Sequence, residues 1–216
     1  MTAVAPAVII VHGLWTGCWA MAYLGRQLAG RGLRVFRFGY PSVRGTLAGN
    51  AAALAGFAAA LAAPRLHFVG HSLGGIVVFA ALAGGAKLPE GRVVMLGTPL
   101  AGSLAARRLA RRTAGRALLG ASIGDWLARP SGAWTLPREL GIIAGSGGIG
   151  LGRLVAPGLP RPHDGAISVA ETRIDGAREH RVLPVSHSQM LLSPQVARCT
   201  ANFLLGGSFR GEGQAQ

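Results

Sequence analysis

Short runs of hydrophobic residues alternate with stretches of helical pattern along most of the chain. Six of these runs are nearly continuous and apolar, which predicts strands buried on both faces: 4–11, 33–38, 66–69, 93–96, 142–144 and 180–183. Five stretches between or after them have the pattern of helices: 19–30, 47–62, 73–83, 104–119 and 193–204. Because strands that alternate with helices pair in parallel through crossovers, the sequence predicts an α/β fold. We expect a mostly parallel six-stranded sheet with helices on both faces.

Length and composition agree with one folded domain over residues 1–216. The chain has 216 residues, of which 50% are hydrophobic, and its mean hydropathy is +0.39. These values exclude a disordered or collagen-like chain and allow a substantial core. No run approaches the length of a membrane-spanning helix, and the first residues read as a strand rather than a signal peptide. We therefore expect a cytoplasmic protein.

The charge is strongly basic, with a formal net charge of +14. Such a balance can indicate nucleic acid or an anionic membrane surface as a partner. The arginines are mostly dispersed and no basic motif is interleaved with aromatic residues, so we expect no nucleic-acid partner. One cluster stands apart, RRLARRTAGR at 107–116, where i, i+4 spacing predicts a shared helix face. A solvated face is the favoured interpretation, and a weak contact of Arg107, Arg108, Arg111 and Arg112 with an anionic membrane is the alternative.

Two further features carry less information about function. Cys18 and Cys199 are interpreted as free buried thiols, although the sequence does not fix their separation and so leaves a disulfide open. The run GSGGIG at 145–150 matches a dinucleotide-binding spacing, but no long helix or suitably placed acidic residue follows it. We predict a flexible loop there.

The stretch Gly70-His71-Ser72-Leu73-Gly74 satisfies G-x-S-x-G, between a predicted strand and a predicted helix. A sharp turn of this kind brings backbones close together, so the positions two before and two after the serine cannot carry bulk. The turn presents the hydroxyl of Ser72 at a helix N-terminus, where a developing oxyanion is stabilised. An N-cap serine with packing glycines is the alternative interpretation.

A serine nucleophile needs a general base, for which the chain offers six histidines. His187 is favoured because it follows the last predicted strand and precedes the final helix. His163 is the second choice. The others are less suitable: His12, expected to fix its loop by hydrogen bonds, His67 inside a strand, His71 beside the nucleophile, and His180 at the amino end of its strand.

For the acid that orients the base, Asp164 is favoured. It lies in the turn His163-Asp164-Gly165, beyond a predicted strand and 23 residues before His187. Asp175 and Glu171 are alternatives that lie nearer the start of the last strand.

The oxyanion donors are predicted from two backbone positions. His12-Gly13-Leu14 follows the first strand, at the carboxyl edge where α/β sheets place their sites. Gly13 lets this loop bend across the site, so that the N–H of Leu14 can join the N–H of Leu73.

These residues resemble the α/β-hydrolase superfamily, and within it the small bacterial lipases and esterases. The matching segments are VHGLW, VGHSLGG, LGTPLAGS, the Asp164-Gly165 turn and the His187 segment, in this order from residue 8 to about 205. The resemblance implies the three-layer fold of that superfamily, with Ser72, Asp164 and His187 as catalytic triad and Leu14 and Leu73 as oxyanion hole. It also implies a small helical cap within 101–140. Trp15, His71 and Leu100 are expected to contact the substrate.

The implied reaction is cleavage of a small ester or lipid substrate through an acyl-enzyme, with no metal or organic cofactor. The apolar side chains in the expected cap favour short-to-medium acyl chains; they are Leu104, Leu118, Leu119 and Trp126. Thioesterase or acyltransferase chemistry on the same triad is one alternative. A catalytically silent binding module is another.

Overall fold

A computed structural model describes residues 5–128, 132–148 and 158–211 of the chain. Its sheet has six strands in the order β2-β1-β3-β4-β5-β6, and every neighbouring pair is parallel. The strands are β1 (Ala7–Val11), β2 (Arg34–Phe38), β3 (Leu66–His71), β4 (Val93–Leu96), β5 (Leu140–Gly145) and β6 (Glu179–Leu183). The predicted parallel six-stranded sheet is therefore confirmed. The start of the first predicted strand, up to residue 4, lies outside the described residues.

Six α-helices connect and follow these strands in the described ranges. They are α1 (Ala22–Ala29), α2 (Leu47–Ala59), α3 (Leu73–Ala83), α4 (Leu104–Ala110), α5 (Thr113–Leu127) and α6 (Pro194–Gly206). Short 3₁₀ turns occur at Cys18–Met21, Ala170–Thr172 and Gln189–Leu192. None of the helices in the described part of the chain is long and apolar enough to cross a membrane.

The sheet is covered on both faces, as the side chains of β1 illustrate. All five residues of β1 are fully buried. Ile9 and Val11 belong to the hydrophobic cluster that includes α2 and α3, whereas Val8 and Ile10 belong to the cluster that includes α1 and α6. Because alternate side chains of a strand point to opposite faces, this arrangement gives the predicted three layers.

The helix predicted over 104–119 is wrong in one respect, because the chain breaks it at residues 111–112. Two helices result, α4 and α5, and the second has a non-helical residue at Gly120 (φ 74°). A Cβ atom at Gly115 would lie 2.0 Å from the carbonyl oxygen of Leu109, so glycine allows the first turn of α5 to fold back against α4. The arginines of 107–116 therefore do not share one continuous helix face.

The α4–α5 segment contacts the loops that follow β1 and β2. The indole N–H of Trp15 donates to the carbonyl of Leu118 at 2.9 Å. The N–H of Ala121 donates to the carbonyl of Val43 at 3.0 Å, and the hydroxyl of Ser122 donates to the carbonyl of Gly45 at 2.8 Å. The segment thus adjoins the carboxyl edge of the sheet, while its role as a cap stays a prediction.

The predictions for the two cysteines and for the glycine-rich run differ in how well they agree with the structure. Cys18 and Cys199 are free, as predicted, although Cys18 is only partly buried. The loop predicted at 145–150 is wrong for Gly145, which belongs to β5, and is confirmed for residues 146–148, which form no helix or strand. Gly145 ends β5, the N–H of Gly147 donates to Val185 at 3.0 Å, and that of Gly148 donates to His163 at 2.9 Å. Residues 149 and 150 lie outside the described part.

Candidate active site

Ser72 occupies a strained turn between β3 and α3. Its backbone has φ 53° and ψ −123°, a conformation that residues other than glycine adopt rarely. A Cβ atom at Gly70 would lie 2.4 Å from the Cα of Gly75, and one at Gly74 would lie 2.3 Å from the carbonyl oxygen of Val11. Both flanking positions must therefore be glycine for the turn to form, as the sequence pattern predicts.

Asp164 and His187 form a hydrogen-bonded pair at the same edge of the sheet. The distance from Asp164 Oδ2 to His187 Nδ1 is 2.6 Å, and the backbone N–H of His187 donates to the carbonyl of Asp164 at 2.9 Å. The second carboxylate oxygen, Oδ1, accepts the N–H groups of Ala166 and Ile167 at 2.9 and 2.7 Å. Both oxygens of this fully buried carboxyl group are therefore paired.

These contacts keep the carboxyl group ionised. Burial alone raises the pKa of Asp164, but the charge and hydrogen bond of His187 and the two backbone N–H groups outweigh it. The net result is a pKa below the ordinary aspartate value. An anionic Asp164 holds the proton of His187 on Nδ1 and leaves Nε2 as the nitrogen that can accept a proton.

The loop after β4 joins the pair to the nucleophile. The N–H of Ser72 donates to the carbonyl of Leu96 at 2.9 Å. The next residue, Gly97, has φ +55°, and a Cβ atom there would lie 3.0 Å from His187 Nδ1 and 3.1 Å from Asp164 Oδ2. Ser72 and His187, both described, share no hydrogen bond in this structure. Such contacts are often loose until substrate is bound.

The two predicted oxyanion donors belong to the elements that flank Ser72. Leu73 is the first residue of α3, and Leu14 follows β1 in the loop over the nucleophile. A Cβ atom at Gly13 would lie 3.2 Å from the Cβ of Ser72, so this loop runs directly against the turn. Neither the Leu14 N–H nor the Leu73 N–H donates to another group in the described part of the chain. Their role as an oxyanion hole stays a prediction.

A sequence model described as the alpha/beta hydrolase family matches residues 8–190. The chain belongs to the alpha/beta hydrolase family. Among curated proteins, none matches it. Solved structures of this fold do match. The mature lipase BlEst2 of Bacillus licheniformis has a TM-score of 0.67 and 21% identity, over 87% of each chain.

Two further solved structures are similar to this hydrolase. A metagenomic carboxyl esterase has a TM-score of 0.62 and 18% identity, over 87% of this chain and 66% of that one. The RedJ thioesterase of the prodiginine pathway in Streptomyces coelicolor has a TM-score of 0.60 and 14% identity, over 94% of this chain and 87% of that one. At these identities the likeness establishes the shared fold.

Within this hydrolase, His71 lies against His187. Its Nε2 is 3.1 Å from the carbonyl oxygen of His187, and the two imidazole centroids are 4.7 Å apart. Burial and the charge of His187 lower the pKa of His71 to about 3, so its ring is neutral and donates from Nε2. His71 is 5% exposed, and its Nδ1 has no hydrogen-bond partner among the described residues. Its hydrogen bond is therefore to the candidate base, and a substrate contact of His71 stays a prediction.

The two other predicted substrate contacts differ in exposure. Trp15 is 57% exposed, immediately after Leu14, whereas Leu100 is buried in the hydrophobic cluster on the α2–α3 face. A substrate contact of either residue stays a prediction.

The other histidines, and the acids Glu171 and Asp125, make hydrogen bonds outside the Asp164–His187 pair. His12 makes a 2.8 Å hydrogen bond with Gly13 and accepts the N–H of Tyr40, in agreement with the loop-fixing interpretation. Glu171 accepts backbone N–H groups of Leu104 and Ser168. The other partners are Arg92 for His67, Gly165 for His163, Thr172 for His180 and Leu47 for Asp125.

Sequence reasoning missed Gly97 as a member of this site. The segment LGTP is part of the family resemblance, but nothing local in the sequence shows which side chains its glycine faces. Its contact with His187 and Asp164 arises where the loops after β4, β5 and β6 converge. A glycine directly after a buried strand is the one signal that the sequence offers.

Proposed function

We propose that this hydrolase cleaves carboxylic esters by a Ser72–His187–Asp164 triad through an acyl-enzyme. The observation that carries the proposal is the strained serine turn beside a buried Asp–His pair 2.6 Å apart. Strain in a turn that exposes a hydroxyl, together with a paired imidazole, is the arrangement that activates a serine nucleophile.

In the proposed reaction, His187 Nε2 accepts the proton of Ser72 as the hydroxyl oxygen attacks the ester carbonyl. The imidazolium that forms is stabilised by Asp164, which stays ionised. The carbonyl oxygen becomes an oxyanion that accepts the N–H groups of Leu14 and Leu73. The proton then passes from His187 to the departing alcohol, and water activated by His187 releases the acid from Ser72.

A fluorophosphonate probe tests the nucleophile directly. We expect wild type to be labelled and Ser72→Ala to be unlabelled, with Ser208→Ala, a serine beyond α6, labelled like wild type. A folded wild-type protein that the probe leaves unlabelled would refute the proposal. That result would favour a silent binding module on the same fold.

A comparison of ester and thioester substrates tests which kind of acyl compound the enzyme cleaves. We expect p-nitrophenyl esters to be hydrolysed, with a maximum at short-to-medium acyl chains, because the apolar residues Leu104 and Leu118 belong to the α4–α5 segment, which contacts the loop after β1. Thioesters of the same acyl groups test the thioesterase alternative. The RedJ thioesterase, which shares this fold, is the reason to include them. A higher kcat/KM on the thioester series, or a maximum on long emulsified triglycerides, would contradict the ester proposal in its present form.

A further inference from the structure

The α4–α5 segment carries a dense and unneutralised positive charge. Its five arginines, here called the arginine patch, are all exposed: Arg107, Arg108, Arg111, Arg112 and Arg116. In the described ranges the carboxylate that pairs with arginines is Glu139, with Arg92 and Arg178. The acids beside the segment, Asp125 and Glu171, accept backbone N–H groups instead. The patch therefore has no internal counter-charge in the described part.

Exposed apolar side chains adjoin the patch. Leu118, two residues after Arg116, is 52% exposed, and Trp15 is 57% exposed. The 2.9 Å hydrogen bond from the Trp15 indole to the backbone carbonyl of Leu118 places the Trp15 side chain next to this residue. Cations beside an exposed tryptophan and leucine match the composition of surfaces that lie on anionic bilayers, where arginine pairs with headgroups and the rings enter the interface.

The patch also lies close to the candidate site. Trp15 directly follows Leu14, a proposed oxyanion donor, and α4 begins at Leu104, directly after the loop that follows β4 and contains Gly97. A flat anionic surface that covers Trp15 and Leu118 would therefore lie next to the loop that carries Leu14, at the carboxyl edge of the sheet.

We propose that the arginine patch, with Trp15 and Leu118, docks this hydrolase on anionic lipid bilayers and directs its active-site edge to them. The orientation towards substrate rests on the proposed ester hydrolysis, whereas the docking itself does not. A nucleic acid would also neutralise arginines, but the exposed Trp15 and Leu118 favour the bilayer.

The test is sedimentation of the full chain with vesicles. Wild type should bind phosphatidylcholine vesicles that contain roughly one third phosphatidylglycerol, should not bind phosphatidylcholine alone, and should dissociate as NaCl is raised. Since each basic residue near an anionic surface contributes a factor of about five, Arg108→Glu/Arg112→Glu should lower the partition coefficient by at least ~30-fold. Leu118→Ser should weaken binding at every salt concentration.

The matched control is Arg26→Glu/Arg198→Glu. It changes the net charge by the same amount as the test variant, but at positions in α1 and α6. Both of its arginines are exposed, and it should bind vesicles almost as wild type does. Equal loss in the two double variants, no binding by wild type, or patch-dependent binding to a DNA duplex without binding to vesicles would overturn the docking proposal. Fluorophosphonate labelling of the two arginine double variants in solution keeps this outcome separate from the proposed function, because a failed docking leaves Ser72 labelled.

Discussion

Replacement of Gly97 by alanine perturbs the Asp164–His187 pair without removing either side chain. Gly97 has φ +55°, a region that L-residues avoid, and a Cβ atom there would lie 3.0 and 3.1 Å from His187 Nδ1 and Cε1 and 3.1 Å from Asp164 Oδ2. The new methyl group therefore has two effects. It strains the backbone, and it displaces the imidazole and the carboxylate that it touches.

The two effects have different magnitudes. Alanine in the left-handed region costs about 1–2 kcal/mol of folding stability. Relief of the close contacts requires the imidazole to move by a few tenths of an ångström. Since a misplacement of about 1 Å can cost ~100-fold in rate, we expect kcat on a p-nitrophenyl ester to fall by about tenfold.

Gly85→Ala is the matched control for the strain. Gly85 has φ +76°, and a Cβ atom there would meet nothing within 4 Å. Thermal denaturation should show a similar loss of stability in both variants, whereas ester hydrolysis at a temperature where both are folded should fall only in Gly97→Ala. If the two alanine variants retain the same kcat, the argument that Gly97 positions the pair is refuted.

Three other predictions concern titratable groups. Asp164→Asn should lower kcat by ~10³–10⁴-fold, because His187 would lose the group that fixes its correct tautomer. Asp175→Asn, at an exposed position, should keep activity. Equal losses of the two variants in ester-hydrolysis assays would contradict the role of Asp164. His71→Ala should lower kcat by loosening His187, and His71→Gln, which keeps a donor for the His187 carbonyl, should restore part of it; equal rates for the two would contradict this positioning role. Burial, with nearby arginine charges, lowers the pKa of His67 from 6.5 to about 4. Its contribution to stability is therefore present above pH 6.5 and is lost as pH falls towards 4, by about 3 kcal/mol. In urea-unfolding experiments, the free energy of unfolding of His67→Gln should therefore depend less on pH over this range than that of wild type. An equal pH dependence in the two proteins would contradict the lowered pKa of His67.

The sequence by itself determined the elements whose signals are local. Strand β3, helix α3 and the turn at Ser72 are adjacent in the chain, and the glycines that permit the turn lie within two residues of the serine. A few consecutive residues are enough to recognise an apolar strand buried on both faces or a glycine that a turn requires. The parallel sheet and the serine turn were therefore predictable.

Only the tertiary structure decided the contacts between distant segments. The break of the helix after Ala110 depends on the approach of Gly115 to Leu109, and the hydrogen bonds of Gly147 and Gly148 depend on the positions of Val185 and His163 in distant loops. Elimination among the residue types led to Asp164 and His187, but the 2.6 Å distance between them comes from the neighbouring positions of β5 and β6. The contact of Gly97 with that pair arises in the same way. Such distances follow from how the strands are ordered and packed, which no short segment of the chain encodes.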